Sequence, residues 1–534
     1  MGADSEPQNQ NSAVELAASE SSSGTLAGRR SVIKSTLIGI ACTMAQIVNS
    51  TNTSAISVTL PTLAKELNIP EVKLNWIASA GPLGCFLIMF GRICDLYGRK
   101  KPFLFGSLWM AVFTLAVTFA TNDITMDILR GLQGLGRAAM MPAAVGILSD
   151  TFKSPQARRK AFTAFSAGQP VGTALGTVVG GAMTQLTKQS WRSPFYLIAG
   201  LSLATLVLGL YAIEEDFPAI EMDRRIDWIG LVLISAGLLL VVFVLSQGET
   251  APEQWKTPYI IALLFVGIGF LVAFFFWQRY LEGKYDTKTS SPWCSPPLMR
   301  VSLWTRAGGR VAVTFIITLL TWCALYSWLY WAQLYYQSYI GLAPLVTVIR
   351  LLPAYITGVI YNVILTILMS RVPFALLMVS GNVLTAIASL LFAVIDPKAV
   401  YWAFGFPAAI LAPAGGGFAY ACSMIYLTKV ARPHEQSMVG AVVQTMTQLG
   451  TSLGVTVSTV IFDQVTRHQT IVQETSPGLD SYKAAQWTTL TFAALAALLA
   501  LIAFRGVEVV EHKRDDCDME SGESASSTIN GSGE

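Results

Sequence analysis

The sequence predicts an all-α polytopic membrane protein, because the chain carries little charge and contains long apolar stretches that recur along its length. Only 13% of the 534 residues are charged, 53% are hydrophobic, and the mean hydropathy is +0.52. A soluble domain carries about 25% charged residues, so this chain has too little polar surface for a soluble protein. The apolar stretches reach the roughly 20 residues that cross a hydrocarbon core of ~30 Å. Such segments must be helices or a closed barrel, and their length without strict alternation excludes the barrel.

Hydropathy predicts about fourteen membrane-spanning helices. Gly341 and Pro344 divide the overlong stretch 311–349 into two helices, and the stretch 124–148 is counted as a span although it contains charged residues. The predicted spans run over approximately 35–64, 74–91, 102–122, 124–148, 161–187, 193–213, 228–248, 257–278, 311–337, 344–370, 372–395, 399–428, 436–462 and 484–504.

Lysine and arginine concentrate in alternate loops, and this bias predicts the orientation of the chain. The positive-inside rule places the basic loops in the cytosol and, with an even number of spans, both chain ends with them. The net charge of +3 follows from the same bias and indicates no nucleic-acid partner. The basic loops are 99–101, 153–160, 224–225, 279–310, 371, 429–432 and 505–514.

The two ends of the chain are polar and are predicted to be disordered cytosolic tails, over residues 1–33 and, with an acidic composition, over residues 507–534. The first 30 residues lack the apolar core and the cleavage site of a signal peptide, so we expect the first span to act as an uncleaved anchor.

The residues that carry enzyme chemistry are scarce in this sequence. The three histidines form no metal-spaced cluster and the seven cysteines form no CxxC pair, so we expect no metal and no other cofactor. The spans contain no Ser/His or paired-Asp arrangement, which argues against an intramembrane enzyme.

The most specific motif lies between the second and third predicted spans, where Gly91, Asp95, Gly98, Arg99 and Lys100 recur at defined spacing. The two glycines permit a close backbone approach and a tight turn. A carboxylate at a helix end can accept hydrogen bonds from the N-terminus of a neighbouring helix or from an arginine. A contact of this kind can break and re-form as two bundles rock, so we interpret these five residues as a conformational latch. An ordinary basic loop would need no such spacing.

This motif resembles the cytoplasmic signature loop of the major facilitator superfamily, G-x-x-x-D-x-x-G-R-[RK], at every position. The resemblance extends over about residues 35–505. It implies two six-helix bundles with two inserted helices, a cargo site near the bilayer midplane and alternating access. It divides the chain into a first bundle (34–215), a linker with the inserted helices (216–280), a cytosolic loop (281–309) and a second bundle (310–506). The counterpart of the signature loop in the second bundle is reduced to residues 370–373, with one charge.

The fourth span contains two arginines, which are costly in a membrane unless they face a polar cavity or a partner. Arg130 and Gln133 lie one turn apart, in a segment similar to the R-x-x-Q-G-x-G motif of the drug:proton antiporters. The resemblance implies that Arg130 takes part in proton coupling, while a purely structural arginine bonded to carbonyl groups is the alternative. Asp127 is a candidate partner of Arg130. Arg137 departs from the family pattern and could serve an anionic cargo or pair with a buried acid.

The fifth span carries glycines four residues apart, which form a flat face for close helix packing. The segment is similar to the antiporter motif G-x-x-x-G-P-x-x-G-G, except that Thr177 replaces the proline, so the sequence does not predict the kink that a proline would produce. The glycines of this face are Gly172, Gly176, Gly180 and Gly181.

Several spans carry neutral polar or aromatic side chains that are candidates for a cargo cavity. Many antiporters have an aspartate where this chain has Thr53, and the span centres contain no Asp or Glu, which weakens the case for proton coupling. The aromatic residues of the ninth span could instead face lipid or pack between helices, and Asn49 and Asn52 of the first span could instead form interhelical hydrogen bonds. The cavity candidates are Gln46, Asn49, Asn52, Thr53, Trp322, Tyr326, Tyr330, Gln444 and Gln448.

The closest resemblance is to the fourteen-spanner drug:proton antiporters of fungi, and especially to the aminotriazole-resistance group. It implies that the chain exports a drug, toxin or secondary metabolite, with protons as the coupled partner, as a monomer in the plasma membrane or, alternatively, the vacuolar membrane. The alternatives are transport of a small inorganic or weakly ionic solute such as borate or ammonium, a proton-independent facilitator, and a transporter-like sensor.

Overall fold

A computed structural model describes residues 8–67, 86–214, 225–248, 251, 253–286, 295–369, 371–432, 435–473 and 478–505. Within these ranges the chain forms helices and no strand, so the predicted all-α class is confirmed. The first half of the molecule comprises α1 (Gln8–Leu67), α2 (Leu87–Tyr97), α3 (Lys100–Val117), α4 (Asp123–Thr151), α5 (Pro155–Ala174), α6 (Gly180–Leu186) and α7 (Ser193–Ala212).

An inserted pair and the second half follow. The inserted pair comprises α8 (Trp228–Gln247) and α9 (Pro258–Asp286). The second half comprises α10 (Ser302–Thr305), α11 (Arg310–Leu334), α12 (Pro344–Leu368), α13 (Phe374–Ala393), α14 (Tyr401–Leu411), α15 (Ala414–Val430), α16 (Gln436–Gln473) and α17 (Leu479–Ala503). Short 3₁₀ turns lie at Ser190–Arg192 and Gln254–Lys256, and π-helical turns lie at Leu175–Val179 and Tyr335–Tyr339.

Nine segments among the described residues are long and apolar enough to cross a membrane. They include α1 from Val32 onward, both inserted helices, and every long helix of the second half except α16. The other five predicted spans fall on α2 to α5 and on α16, which are shorter in their described part or richer in polar residues. The count of fourteen spans therefore remains a prediction.

The first helix begins earlier than the membrane span that it contains. Its backbone is helical from Gln8, within the stretch 1–33 for which the composition predicts disorder, and its candidate span begins at Val32. Alanine, glutamate, leucine and arginine in this stretch are good helix formers, so the backbone can continue the helix of the span. The predicted C-terminal tail, residues 507–534, lies outside the described residues.

The first helix packs closely against α5 and its continuation. A Cβ atom on Gly172 would lie 2.7 Å from Cβ of Ser50, and one on Gly176 would lie 2.9 Å from Cβ of Ser54. These distances are shorter than real Cβ contacts, so a side chain at either glycine would push the helices apart. The other two glycines of the predicted face also lie against α1: Gly180 and Gly181.

The helix that carries these glycines is irregular although it lacks the antiporter proline. The π-helical turn at Leu175–Val179 joins α5 to α6 and contains Thr177. The Thr177 hydroxyl donates to the carbonyl oxygen of Thr173 at 2.8 Å. A π-helical turn can bend a helix. A hydroxyl that bonds to the backbone of its own helix can do the same. The irregularity therefore arises without a proline at position 177, although Pro170 lies in the same helix.

The inserted pair lies at the edge of the molecule. Only 17% of the span in α9 is buried, compared with 67% of the span in α11. The hydroxyl of Thr456 in α16 donates to the carbonyl oxygen of Leu245 in α8 at 2.9 Å, which ties the pair to the second half. At the start of α8, the buried carboxylate of Asp227 accepts hydrogen bonds from the N–H of Gly230 and from side chains of α9.

Candidate functional site

The two halves of the molecule meet where α2 contacts the N-terminus of α16. One carboxylate oxygen of Asp95 accepts a hydrogen bond from the N–H of Ser437 at 3.1 Å, and the other accepts one from Met438 at 2.9 Å. The side chain of Asp95 is fully buried. The first N–H groups of a helix have no partner within it and carry the positive end of its dipole, so a carboxylate is well suited to this position.

The neighbouring residues of the signature loop hold Asp95 in place. Gly98 has φ of 96°, a conformation that residues with a side chain rarely adopt. Its N–H donates to the carbonyl oxygen of Cys94, and this bond ends α2. Arg99 lies 3.6 Å from the Asp95 carboxylate and donates to the carbonyl oxygen of Gly146 in α4 at 2.9 Å. A Cβ atom on Gly91 would lie 2.7 Å from Cβ of Ala441, so α2 and α16 are in close backbone contact there. Lys100 begins α3.

A second contact between the halves lies at the same end of the molecule. Arg158 of α5 donates to the carbonyl oxygen of Thr428 in α15 at 2.7 Å. The Thr366 hydroxyl of α12 donates to the Thr163 hydroxyl of α5 at 2.8 Å. Together with the Asp95 contact, these hydrogen bonds close this end of the interface. We call it the closed end.

The segment after the inserted pair also reaches the closed end. The N–H of Met299 donates to Oε1 of Gln278 in α9 at 3.2 Å. Arg306 donates from Nη2 to Oε1 of Glu435 at 3.0 Å, one residue before α16 begins. The inserted pair is therefore linked to the helix whose N-terminus receives Asp95.

A cavity of about 380 Å³, the outer cavity, lies between α1, α6, α11, α12 and α16, toward the helix ends opposite the closed end. Thr53, Ser57 and Tyr330 line it and are exposed, so it reaches the surface. Its lining consists of threonine, serine, glutamine, tyrosine and aliphatic side chains and includes no charged residue. A volume of this size and a neutral lining suit a small organic molecule.

A second cavity of about 70 Å³, the inner cavity, lies deeper between α5, α11, α12 and α15. Tyr326 and Tyr355 line both cavities and stand between them. The ring of Trp322 stacks on Tyr326 at a centroid distance of 5.2 Å and meets Tyr420 edge-on at 5.6 Å. Among the candidates from the sequence, the structure therefore brings Trp322, Tyr326, Tyr330 and Thr53 to the cavities.

Arg130 belongs to a buried polar network behind the cavities. It donates from Nη1 to Oε1 of Gln133 at 2.8 Å and to Oδ1 of Asn52 at 3.3 Å. Gln133 in turn donates to Oδ1 of Asn52 at 3.0 Å and to the hydroxyl of Thr114 at 2.6 Å. Asn52 lies in this network rather than in the lining of either cavity. Asp127 lies three residues before Arg130 in α4.

The other polar candidates lie near the hydroxyl groups of two tyrosines that line the inner cavity, Tyr326 and Tyr420. Gln46 donates to Gln169 at 2.9 Å, and Gln169 donates to the Tyr326 hydroxyl at 3.1 Å. Arg137 is buried and lies within electrostatic range of the same hydroxyl. Gln444 donates to the Tyr420 hydroxyl at 3.0 Å.

Two further candidates lie away from both cavity linings. Asn49 is buried in α1, and Gln448 is half-buried in α16.

Some residues of the site were not singled out by the sequence analysis. They are ordinary polar or aromatic residues inside predicted spans, and hydropathy alone does not say whether such a residue faces a cavity, another helix or lipid. Gly450 and Gly454 repeat the four-residue glycine spacing and pack against α11, so the same rule would have found them. The missed cavity residues are Gln169, Tyr355, Asn362 and Tyr420.

The sequence matches the Major Facilitator Superfamily over residues 42–227 and 223–455, which includes both halves. The chain belongs to this superfamily. It is therefore a multi-pass membrane transporter of a small-molecule substrate. The predicted superfamily and major facilitator fold are confirmed.

Comparison with known proteins gives relatives of low identity, which match between 44% and 86% of this chain. The transporter is 28% identical over 407 residues to the low affinity ammonium transporter of Saccharomyces cerevisiae, across 74% of each chain. It is 25% identical over 471 residues to the efflux pump terJ of Aspergillus terreus, across 86% of each chain. It is 28% identical over 243 residues to the aminotriazole resistance protein of Saccharomyces cerevisiae, across 44% of each chain. The predicted resemblance to fungal resistance proteins is confirmed.

The fold is also similar to that of a solved transporter. The proton:xylose symporter XylE superimposes with a TM-score of 0.61 over 89% of this chain and 96% of its own, at 14% sequence identity. At this identity the likeness supports the fold alone.

Proposed function

We propose that this transporter exports a small organic molecule, such as a drug, a toxin or a secondary metabolite, by proton antiport with alternating access. One observation carries the proposal: a cavity of about 380 Å³ with an aromatic and neutral polar lining lies between the two halves, and these are joined at the opposite end by the Asp95 contact. Closure at one end with access at the other is what one state of an alternating-access cycle requires.

The chemistry of the lining supports an organic cargo. Tyrosine rings and aliphatic side chains bury apolar surface, and the threonine and glutamine side chains can orient a few polar groups. Transfer of an ion into a cavity without opposite charge is costly. The direction of export is supported by the similarity to the efflux pump and the resistance protein.

The buried network around Arg130 supports proton coupling. Arg130 is 2% exposed, and it donates hydrogen bonds to the amide oxygens of Gln133 and Asn52. Members of this superfamily often move their substrates together with protons, and a charged residue buried within a membrane span is a candidate for that coupling. We place Asp127 beside it as the candidate group that exchanges the proton, because it lies one turn away on the same helix.

We assign both chain ends to the cytosol, from the loop charges, and the transporter to the plasma membrane as a monomer. The vacuolar membrane is the alternative location. In this orientation the closed end faces the cytosol and the outer cavity faces the opposite side.

The second candidate function is transport of a small inorganic or weakly ionic solute, such as borate or ammonium. The similarity to the ammonium transporter supports it, as does the lack of an acid in the span centres. The size of the outer cavity argues against it, because a solute of a few atoms would leave most of a cavity of about 380 Å³ unfilled. Proton-independent facilitation is the remaining alternative for either cargo.

The test is transport by purified protein in liposomes that contain a pH-sensitive dye, with an imposed pH gradient. The cargo panel contains neutral aromatics, lipophilic cations, organic acids, borate and ammonium. We expect a neutral aromatic to dissipate the gradient, and we expect Arg130→Gln to abolish this coupled flux. Arg371→Gln, which removes an exposed arginine at the closed end, is the matched control.

The outcomes separate the alternatives. Cargo movement without proton movement would make the chain a facilitator, and a response to borate or ammonium alone would favour the second candidate. Coupled flux that survives in Arg130→Gln would remove Arg130 from coupling.

A further inference from the structure

The inner cavity has a set of buried polar atoms without hydrogen-bond partners among the described residues. They are the indole N–H groups of Trp322 and Trp328, the hydroxyl of Ser166 and the side-chain oxygen of Asn362. All four residues line the inner cavity, and each side chain is at least 97% buried. A buried polar group without a hydrogen-bond partner destabilises a protein, so four at one cavity need an explanation.

The orientation of the Asn362 amide is determined by its surroundings. Its NH₂ group donates to the carbonyl oxygen of Gly358 at 2.8 Å, one helical turn earlier in α12. The oxygen is therefore the atom left to accept a hydrogen bond. The two indole nitrogens can only donate, and a serine hydroxyl can do either. The inner cavity thus offers at least two donors and one acceptor.

The lining residues of the inner cavity include no charged side chain. An ammonium group placed there would lose its hydration without gaining a counter-ion. A carboxylate would have the buried Arg137 within electrostatic range of Tyr326, but this arginine lies outside the lining and offers no direct contact. Neutral groups avoid this cost. The volume of about 70 Å³ accommodates a small polar group or a few water molecules, but not a whole drug-sized molecule.

We propose that the inner cavity binds the neutral hydrogen-bonding end of the cargo, a carbonyl together with a hydroxyl or amide N–H, while the outer cavity holds the aromatic or apolar body. This inference rests on the proposed function, because it assigns a position to part of the exported molecule. The carbonyl oxygen accepts from Trp322, the hydroxyl or N–H donates to Asn362, and Trp328 offers a second donor in the same lining. Tyr326 and Tyr355, which line both cavities, flank the path between the two positions.

The experiment measures binding rather than flux, so that it can fail while the proposed function stands. Three probes of one shape are compared by ligand-detected NMR with the full chain in detergent: 4-hydroxybenzamide, which is neutral and carries both groups; 4-hydroxybenzoate, which is an anion; and p-xylene, which carries neither group. We expect 4-hydroxybenzamide to bind at least tenfold more tightly than either of the others.

Two variants then locate the binding. Trp322→Phe removes an indole N–H and keeps an aromatic ring, and Asn362→Leu removes the acceptor and keeps the volume. We expect each to weaken binding of 4-hydroxybenzamide about tenfold, the effect of one lost hydrogen bond, and to leave binding of p-xylene unchanged. Trp402→Phe, on an exposed tryptophan at the start of α14, is the matched control and should change neither.

Each other outcome overturns the proposal. Equal binding of the three probes, or no detectable binding of 4-hydroxybenzamide, would exclude this end group as the ligand. An unchanged affinity in both variants would mean that the inner cavity holds only water. An equal loss for the amide and p-xylene would indicate a change of shape rather than of hydrogen bonding. In all these cases, coupled flux of another organic cargo in liposomes would leave the proposed export function intact.

Discussion

The closed end joins the two halves along two contacts that differ in kind. Where α2 meets α16, a buried carboxylate from one half reaches the helix N-terminus of the other. Where α5 meets α12 and α15, there are two hydrogen bonds: Arg158 donates to the carbonyl oxygen of Thr428, and the Thr366 hydroxyl donates to the Thr163 hydroxyl. The N-terminus of α5 has a cap of its own, because the Ser154 hydroxyl accepts from the N–H of Ala157 at 3.3 Å. It therefore needs no acid from the other half.

This difference indicates which contact holds the closed end. A hydrogen bond to a charged group contributes about 1.5–3 kcal/mol, compared with about 0.5–1.5 kcal/mol for one between neutral groups. Asp95 forms two such bonds from a fully buried side chain, whereas the charged Arg158 forms one from a half-buried side chain. We therefore infer that the contact between α2 and α16 contributes most to closure. The counterpart loop at residues 370–373 contains no acid. The asymmetry can be tested by weakening each contact in turn.

The largest effect is expected for Asp95→Asn. A carboxylate has two oxygens that accept hydrogen bonds, whereas the asparagine amide has one oxygen and an NH₂ group that only donates. One of the two N–H groups therefore loses its partner, so the closed end should open and coupled transport should slow at least tenfold. The measurement is flux in liposomes together with labelling of a cysteine introduced at the closed end. Asp150→Asn removes a largely exposed carboxylate 4.0 Å from Arg99 and serves as the control. Near-normal flux in Asp95→Asn would contradict the latch.

An intermediate effect is expected for Arg158→Gln. This change removes the charge-assisted bond to the Thr428 carbonyl oxygen, which we expect to shift the balance between closed and open states by about tenfold, the lower end for a bond to a charged group, because Arg158 is only half-buried. The same labelling assay measures the shift. Lys160→Gln, at an exposed position on the same helix, should have no effect. If Arg158→Gln opens the closed end more than Asp95→Asn does, the ranking of the two contacts is wrong.

The smallest effect is expected for Thr366→Val. This change removes one hydroxyl from the contact with Thr163 and keeps the shape, so the labelling rate should rise by no more than about threefold. Thr357→Val is the matched control, because that hydroxyl bonds only to carbonyl groups of its own helix. A large effect of Thr366→Val would show that the neutral contact carries more of the closure than its chemistry suggests.

Much of the molecule was predictable from the sequence, because the membrane restricts the choices. An apolar stretch of twenty residues in lipid must be a helix, so the all-α class followed directly, and the match of the signature loop indicated the superfamily. The conformation of Gly98 and the close approach at Gly91 are local requirements that the spacing of the motif already expresses.

The partners of those residues were not predictable from the sequence. Nothing in the residues around Asp95 indicates that it binds the N–H groups of Ser437 and Met438, more than 340 positions away. For Asn52 the sequence left a cavity lining and interhelical hydrogen bonds as alternatives, and in the structure its side chain accepts hydrogen bonds from Arg130 and Gln133, because the rotation of α1 against α4 directs it there. The inner cavity depends on the convergence of four helices.

The sequence by itself determined the helices, their superfamily and the residues of the latch, because these depend on local composition and spacing. Only the tertiary structure decided which polar side chains meet one another and which line a cavity. The physical reason is that a span buries its polar groups in whatever direction its neighbours permit, and that direction depends on helix packing across the whole molecule.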